Sequence, residues 1–140
     1  MIATCVIDAS VAIKWVIGEN GTDAANRLRW SGTKFHAPDL IVAETGNILW
    51  KKVQRDELTP AEALVACRVL RLAPVEVHAM GPLQALALEM AIALQHPVYD
   101  TTYLALARAL DAPMVTADRR LVGKCAAARG AALCEVLLLS

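Results

Sequence analysis

An α/β protein with a mainly parallel central sheet, built as a three-layer α/β/α sandwich with right-handed crossovers, is predicted by three features of the sequence. Short β-branched or apolar runs alternate with longer helix-like stretches along the whole chain. Acidic residues stand where predicted strands give way to helices. The chain has 140 residues, of which 56% are hydrophobic and 20% charged, enough for a single domain, 1–140, around one core.

Ile2 to Ile7 is an apolar run that stops at Asp8, as a buried strand does. Ser10 to Ile17 is helix-like and Gly18 to Gly21 breaks it; a second helix runs from Thr22 to Trp30, ended by Ser31-Gly32-Thr33. Phe35 to Ala37 is a short strand. From Asp39 to Arg55, Ile41, Val42, Ile48, Leu49 and Val53 recur at helical spacing, and Glu44, Asn47 and Lys51 share one polar stripe. Thr59-Pro60 with Glu62 forms a capping box that opens a helix to Leu72, making a hairpin with its predecessor. Pro74 to His78 reads as a strand, and Gly81-Pro82 opens a long helix that ends before Pro97. Thr101 to Leu110 is helical, Pro113 to Thr116 a strand, Asp118 to about Arg129 a helix, and Ala132 to Leu139 a final strand.

Fourteen Lys and Arg balance fourteen Asp and Glu, so no bulk basic field holds nucleic acid, and any such contact has to be local. No apolar run reaches a membrane span and the first residues lack a secretory pattern, which predicts a cytoplasmic protein with no membrane partner. Cys5, Cys67, Cys125 and Cys134 lack metal-ligand spacing and read as buried thiols; His36, His78 and His96 are scattered. A transition-metal site on sulfur or imidazole is therefore not expected. With aromatics at only 4%, Trp15, Trp30 and Trp50 read as core or interface anchors rather than base-stacking platforms.

Asp8 follows the first strand, Asp118 follows the strand at Met114 to Thr116, and Asp100 precedes a helix. In an open parallel sheet such positions gather at the carboxyl edge, where these folds bind ligands. Each Asp alone has a plainer role as a helix N-cap, and Glu44 as a solvated helix residue. If the four converge, their repulsion has to be offset, since two charges about 4 Å apart interact by roughly 4 kcal/mol at an effective dielectric of about 20. An all-oxygen donor set calls for a hard divalent cation, Mg²⁺ or Mn²⁺, and such an ion suits phosphodiester hydrolysis.

The segments Val6-Ile7-Asp8-Ala9-Ser10, Ala43 to Leu49, Tyr99 to Ala107 and Val115 to Leu121 resemble the PIN-domain family, and most of all its VapC-type toxin branch, the ribonucleases of type II toxin–antitoxin pairs. The resemblance spans Asp8 to Asp118. It implies an α/β/α sandwich whose acidic quartet, here Asp8, Glu44, Asp100 and Asp118, binds Mg²⁺ or Mn²⁺ to cut single-stranded or loop RNA, leaving a 5′-phosphate and a 3′-hydroxyl. Thr116 matches a position that holds the acids by hydrogen bonding, Asn47 one that accompanies the helix glutamate, and Ser10 counts with them as supporting. Homodimerisation is implied, as is inhibition by a small antitoxin whose basic tail enters the acidic pocket. Apolar residues between Ile41 and Leu72 are candidates for either interface.

On this reading Asp8, Asp100 and Asp118 hold the ion, and Glu44 completes its shell or orients the attacking water. Lys14, Lys51, Arg119 and Arg120 are candidates to hold the RNA backbone, although most such side chains are simply solvated. A phosphatase of the haloacid-dehalogenase type needs an aspartate two residues after Asp8, where Ser10 stands, and a response receiver needs paired acids at the first strand. An inactive PIN-fold module that only binds RNA or protein remains the alternative; it has no need of all four acids.

Overall fold

The computed structural model describes residues 2–128 and 134–140. Five strands form one sheet: β1 (Thr4–Ile7), β2 (Lys34–Pro38), β3 (Val75–His78), β4 (Met114–Thr116) and β5 (Val136–Leu138). Every neighbouring pair is parallel, in the order β3-β2-β1-β4-β5. The chain steps outward from β1 to β3 and then returns to lay β4 on the other side of β1. The connections leaving β1 and β4 thus run in opposite directions, and the carboxyl ends of these two strands flank a topological switch point.

Helices fill both faces. The helices α1 (Ala9–Ala12), α2 (Thr22–Arg29), α3 (Leu40–Gln54) and α4 (Pro60–Leu70) lie in the connections that step outward; α5 (Gln84–Leu94), α6 (Val98–Ala109) and α7 (Arg119–Ala127) lie in those that step back. Right-handed crossovers place the two groups on opposite faces. In agreement, α6 lies across β1, β2 and β4 with α5 packed on it, while α1 and α3 pack together on the far side. Phe35 of β2 meets Trp15, in the 3-10 turn after α1, edge-to-face at 5.1 Å between centroids. The predicted three-layer sandwich is the architecture observed.

The core is aliphatic because both sheet faces are covered: Val6, Ile7, Phe35, Ala37, Met114 and Val115 are all buried, with Tyr103 and Leu104 of α6 above them. A second cluster, Ile13, Leu49 and Ala66, ties the α3–α4 hairpin to the turn after α1. The capping box that starts α4 is complete: Thr59 Oγ1 accepts from the Glu62 N–H at 3.1 Å and Glu62 Oε1 from the Thr59 N–H at 2.9 Å. Among the described residues no helix is long and apolar enough to cross a membrane.

Several elements differ from expectation. The helix predicted over Ser10 to Ile17 is one α turn continued as a 3-10 turn, Ile13–Trp15. α5 ends at Gln95, which adopts the left-handed conformation (φ 52°), and α6 starts at Val98 rather than Thr101. Pro97, extended at ψ 144°, sits at the helix boundary, so Asp100 falls in the first turn of α6 and is not an N-cap. The final strand is Val136–Leu138; the predicted residues 129, 132 and 133 lie outside those described.

Two sequence expectations fail, because local sequence reports neither which face of an element is covered nor which strands pair. Cys5 and Cys125 are buried, yet Cys67 is exposed and Cys134 half-buried, since the outer helix α4 buries only Ala66. Of the tryptophans read as core or interface anchors, Trp15 is in the core, whereas Trp30 and Trp50 are 78% and 57% exposed. His36 and His78 are not scattered: 42 residues apart in sequence, they touch across β2 and β3 (Nδ1 to Nε2, 2.9 Å). Linear spacing also did not show that parallel pairing of β2 with β3 brings His36, Glu76 and His78 together.

Candidate active site

The switch point is built from hydroxyls and carboxylates. β1 and β4 pair with Ile7 beside Val115, so the next residues, Asp8 and Thr116, stand side by side. Thr116 Oγ1 donates to Asp8 Oδ2 at 2.5 Å and Ser10 Oγ donates to Asp8 Oδ1 at 2.5 Å. The same two hydroxyls accept from the next loop: the Ala117 N–H reaches Ser10 Oγ and the Asp118 N–H reaches Thr116 Oγ1, both at 3.0 Å. Asp8 therefore has both oxygens fixed before any ligand arrives, and Ser10 and Thr116 tie the β1 end to the β4 end.

The plain and the functional roles coincide for two acids. Asp8 caps α1, accepting from the Val11 N–H at 3.3 Å, and Asp118 caps α7, accepting from the Arg120 and Leu121 N–H groups at 3.0 and 3.3 Å. Capping holds each carboxylate at the N-terminus of its helix, which starts at the carboxyl edge of the sheet. Glu44 comes from α3 and Asp100 from α6, on opposite faces, and with Asp8, Asp118, Ser10, Asn47 and Lys51 they line one cavity of about 260 Å³. All four predicted acids are thus brought together, and the Glu44-Asn47-Lys51 stripe faces them.

The predicted cations divide. Lys51 lines the cavity. Lys14 does not: it is paired with Glu19 at 2.8 Å, where Lys52 joins it at 3.0 Å. Arg119 and Arg120 follow Asp118 on the exposed first turn of α7 and are not among the cavity's lining residues.

Electrostatics within the cavity favour a cation. Burial pushes the Asp8 carboxyl up to about 6 from its ordinary 3.8, against the pull of the Ser10 and Thr116 hydroxyls, and the Asp100 charge adds to the rise. Burial also raises Glu44; Tyr103 opposes the rise by donating a hydrogen bond, and Asp100 reinforces it. The donors are carboxylates, hydroxyls and one amide, with no thiolate or imidazole lining the cavity. That set fits a hard divalent ion held by oxygens.

Two further residues that sequence reading did not assign to the site contact the quartet, and a third stands behind one of them. Tyr103, fully buried, donates to Glu44 Oε1 at 2.6 Å and so orients it. His96 contacts Asp100 Oδ2 through Nε2 at 2.5 Å, and Lys124 contacts His96 Nδ1 at 3.2 Å. A lysine ammonium only donates, so Nδ1 accepts and Nε2 carries the proton given to Asp100. For Tyr103 the available signal was helical spacing, three residues after Asp100 within α6; His96 precedes α6 and only the turn at Gln95 to Pro97 brings it to Asp100.

The switch point is thus lined by four carboxylates carried by separate parts of the chain, and the comparisons place the fold in a family. The PIN domain model matches residues 5–126, and the chain belongs to the PIN-domain family. Ribonuclease VapC1 of Mycobacterium tuberculosis is 34% identical over 137 residues, covering 96% of this chain and 97% of its own. Ribonuclease VapC3 of Pyrobaculum aerophilum is 32% identical over 123 residues, 85% of this chain and 92% of its own. The crystal structure of PAE2754 from Pyrobaculum aerophilum superposes with a TM-score of 0.66 at 25% identity, over 89% of this chain and 87% of that one.

Proposed function

We propose that the protein is a Mg²⁺- or Mn²⁺-dependent endoribonuclease, the toxin of a toxin–antitoxin pair. The observation that carries this is the single cavity lined by Asp8, Glu44, Asp100 and Asp118 in a chain whose PIN-family relatives are named ribonucleases. Asp8, Asp100 and Asp118 would hold the ion, with Glu44 completing the set. When bound, such an ion lowers the pKa of a water and neutralises charge developing on the phosphodiester.

The chain's own groups account for the rest. Ser10 and Thr116 keep Asp8 in place, and His96 keeps Asp100. Glu44 Oε1 accepts from Tyr103, so Oε2 is the oxygen left to orient the attacking water and take its proton; burial raises this carboxyl above its ordinary range, which makes it a better proton acceptor. Water oxygen bonds to phosphorus as the bond to the 3′-oxygen breaks, and the departing 3′-oxygen takes a proton from solvent, leaving a 5′-phosphate and a 3′-hydroxyl. Lys51 at the cavity wall supplies a backbone phosphate contact.

The hairpin exposes Val42, Trp50, Leu64, Val65, Val69 and Leu72, a surface suited to a homodimer or to a small antitoxin whose basic tail enters the acid cavity. The test is cleavage of a structured-RNA panel by partner-free protein with Mg²⁺ or Mn²⁺, with EDTA, and with Asp100→Asn. Discrete cuts bearing 5′-phosphates that vanish in both controls support the reading; cutting that survives both, or no divalent-ion binding by the wild type, overturns it.

A further inference from the structure

A second cluster of metal-ligating side chains lies away from the acid cavity, at the β3 edge of the sheet. Side chains alternate across a strand, and the register pairs His36 with Glu76 and Pro38 with His78. Phe35 packs against Trp15, and Val75 and Val77 line the apolar groove beneath α3 and α4. The alternate residues His36, Glu76 and His78 therefore share the opposite face of the sheet.

The three are already gathered. His36 Nδ1 stands 2.9 Å from His78 Nε2 and 3.5 Å from Glu76 Oε2, and one ligand atom from each residue lies within 4.8 Å of the other two. Neighbouring ligands of a tetrahedral ion with bonds of about 2.0–2.1 Å are roughly 3.3 Å apart, a value these separations bracket. The end of β3 is braced, since the Asp39 N–H donates to the His78 carbonyl at 2.7 Å and the Met80 N–H to Asp39 Oδ1 at 3.2 Å. The His36 side chain is 15% exposed and that of Glu76 70%, so the site is anchored at one side and open at the other.

We propose that His36, Glu76 and His78 form a binding site for a first-row divalent ion of the zinc class, with the remaining position open to water. Two imidazoles and one carboxylate are a borderline donor set, unlike the all-oxygen acid cavity, and the two sites therefore select different ions. An ion between His36 Nδ1 and His78 Nε2 would use the lone pairs of both nitrogens. Occupancy clips the edge strand β3 to β2, so the ion also raises resistance to unfolding.

The test is a Zn²⁺ titration of the full-length protein followed by nitrogen-15 histidine NMR. The chain has three histidines, and His96, bonded to Asp100 beside the acid cavity, is the internal reference. The first equivalent is expected to shift His36 and His78 and leave His96 unmoved. A first equivalent that shifts His96, or none of the three, overturns the proposal. In parallel, affinity from competition with a chromophoric chelator is expected to fall at least tenfold in His36→Gln and in His78→Gln, and to persist in Asp100→Asn. Wild-type affinity in both histidine variants, with folding confirmed by circular dichroism, overturns it equally.

Discussion

The carboxyl ends of β1 and β4 and the paired strands β2 and β3 use the same backbone device for different chemistry. In each, parallel register sets residues distant in sequence side by side: Asp8 beside Thr116, and His36 beside Glu76 and His78. At the switch point the connections diverge and helices from both faces converge, so four acids surround a cavity of about 260 Å³. At the β2–β3 edge nothing diverges; three ligands meet directly and Glu76 faces solvent. Topology decides where a reaction has room, and donor type decides which ion is held.

The largest effect expected from breaking this contrast is on catalysis. Asp100→Asn is expected to lower RNA cleavage at least 100-fold, several kcal/mol of transition-state stabilisation, while His78→Gln leaves it within about twofold. Initial rates on one RNA with Mg²⁺ compare them directly; equal losses would merge the two regions into one functional unit.

A pH effect comes next. Asp8 is raised in the folded state, so between its ordinary 3.8 and about 6 the folded chain binds more protons than the unfolded one, and stability falls as pH rises through that window. At neutral pH the ionised, buried Asp8 costs the metal-free protein up to about 3 kcal/mol, at about 1.4 kcal/mol for each pH step of one. Glu44 acts in the same direction. Glu19 opposes it: burial raises its carboxyl, but the hydrogen bonds from Lys14 and Lys52 outweigh burial and hold it low, so its stabilisation fades only as pH falls below its ordinary 4.5. Denaturant midpoints in EDTA are therefore expected to be higher at pH 5 than at pH 7.5, with Mg²⁺ narrowing the gap; the reverse order would remove burial of Asp8 as the dominant cause.

Tyr103→Phe probes the support of Glu44. Losing one hydrogen bond to a carboxylate is worth about 1.5–3 kcal/mol, so the turnover rate is expected to fall about tenfold or more with little change in KM. A change in KM alone would place Tyr103 in RNA binding instead. The smallest effect is expected of Thr59→Ala, which removes the α4 capping box and costs about 1 kcal/mol of stability. It is expected to leave both the cleavage rate and Zn²⁺ binding unchanged, which thermal unfolding and the two assays check together.

The sequence by itself determined the alternation of strands and helices, the capping box at Thr59, the parallel α/β class and the strand-end acids Asp8 and Asp118, because periodicity, turn residues and strand-end carboxylates are local signals; Glu44 and Asp100 joined them through the resemblance to the PIN-domain family. The Glu44-Asn47-Lys51 stripe was legible for the same reason, as helical spacing alone aligns it. Element boundaries were less so: Pro97 moved the start of α6 three residues forward, and with it Asp100 from before the helix to inside it. Tertiary structure alone decided that Cys67, Trp30 and Trp50 stay exposed, that Lys14 pairs with Glu19 instead of entering the cavity, and that Tyr103 holds Glu44 from 59 residues away. It alone joined His36 to His78. The pairing of strands and the choice of covered face depend on the whole chain's packing, and no short window of sequence carries that information.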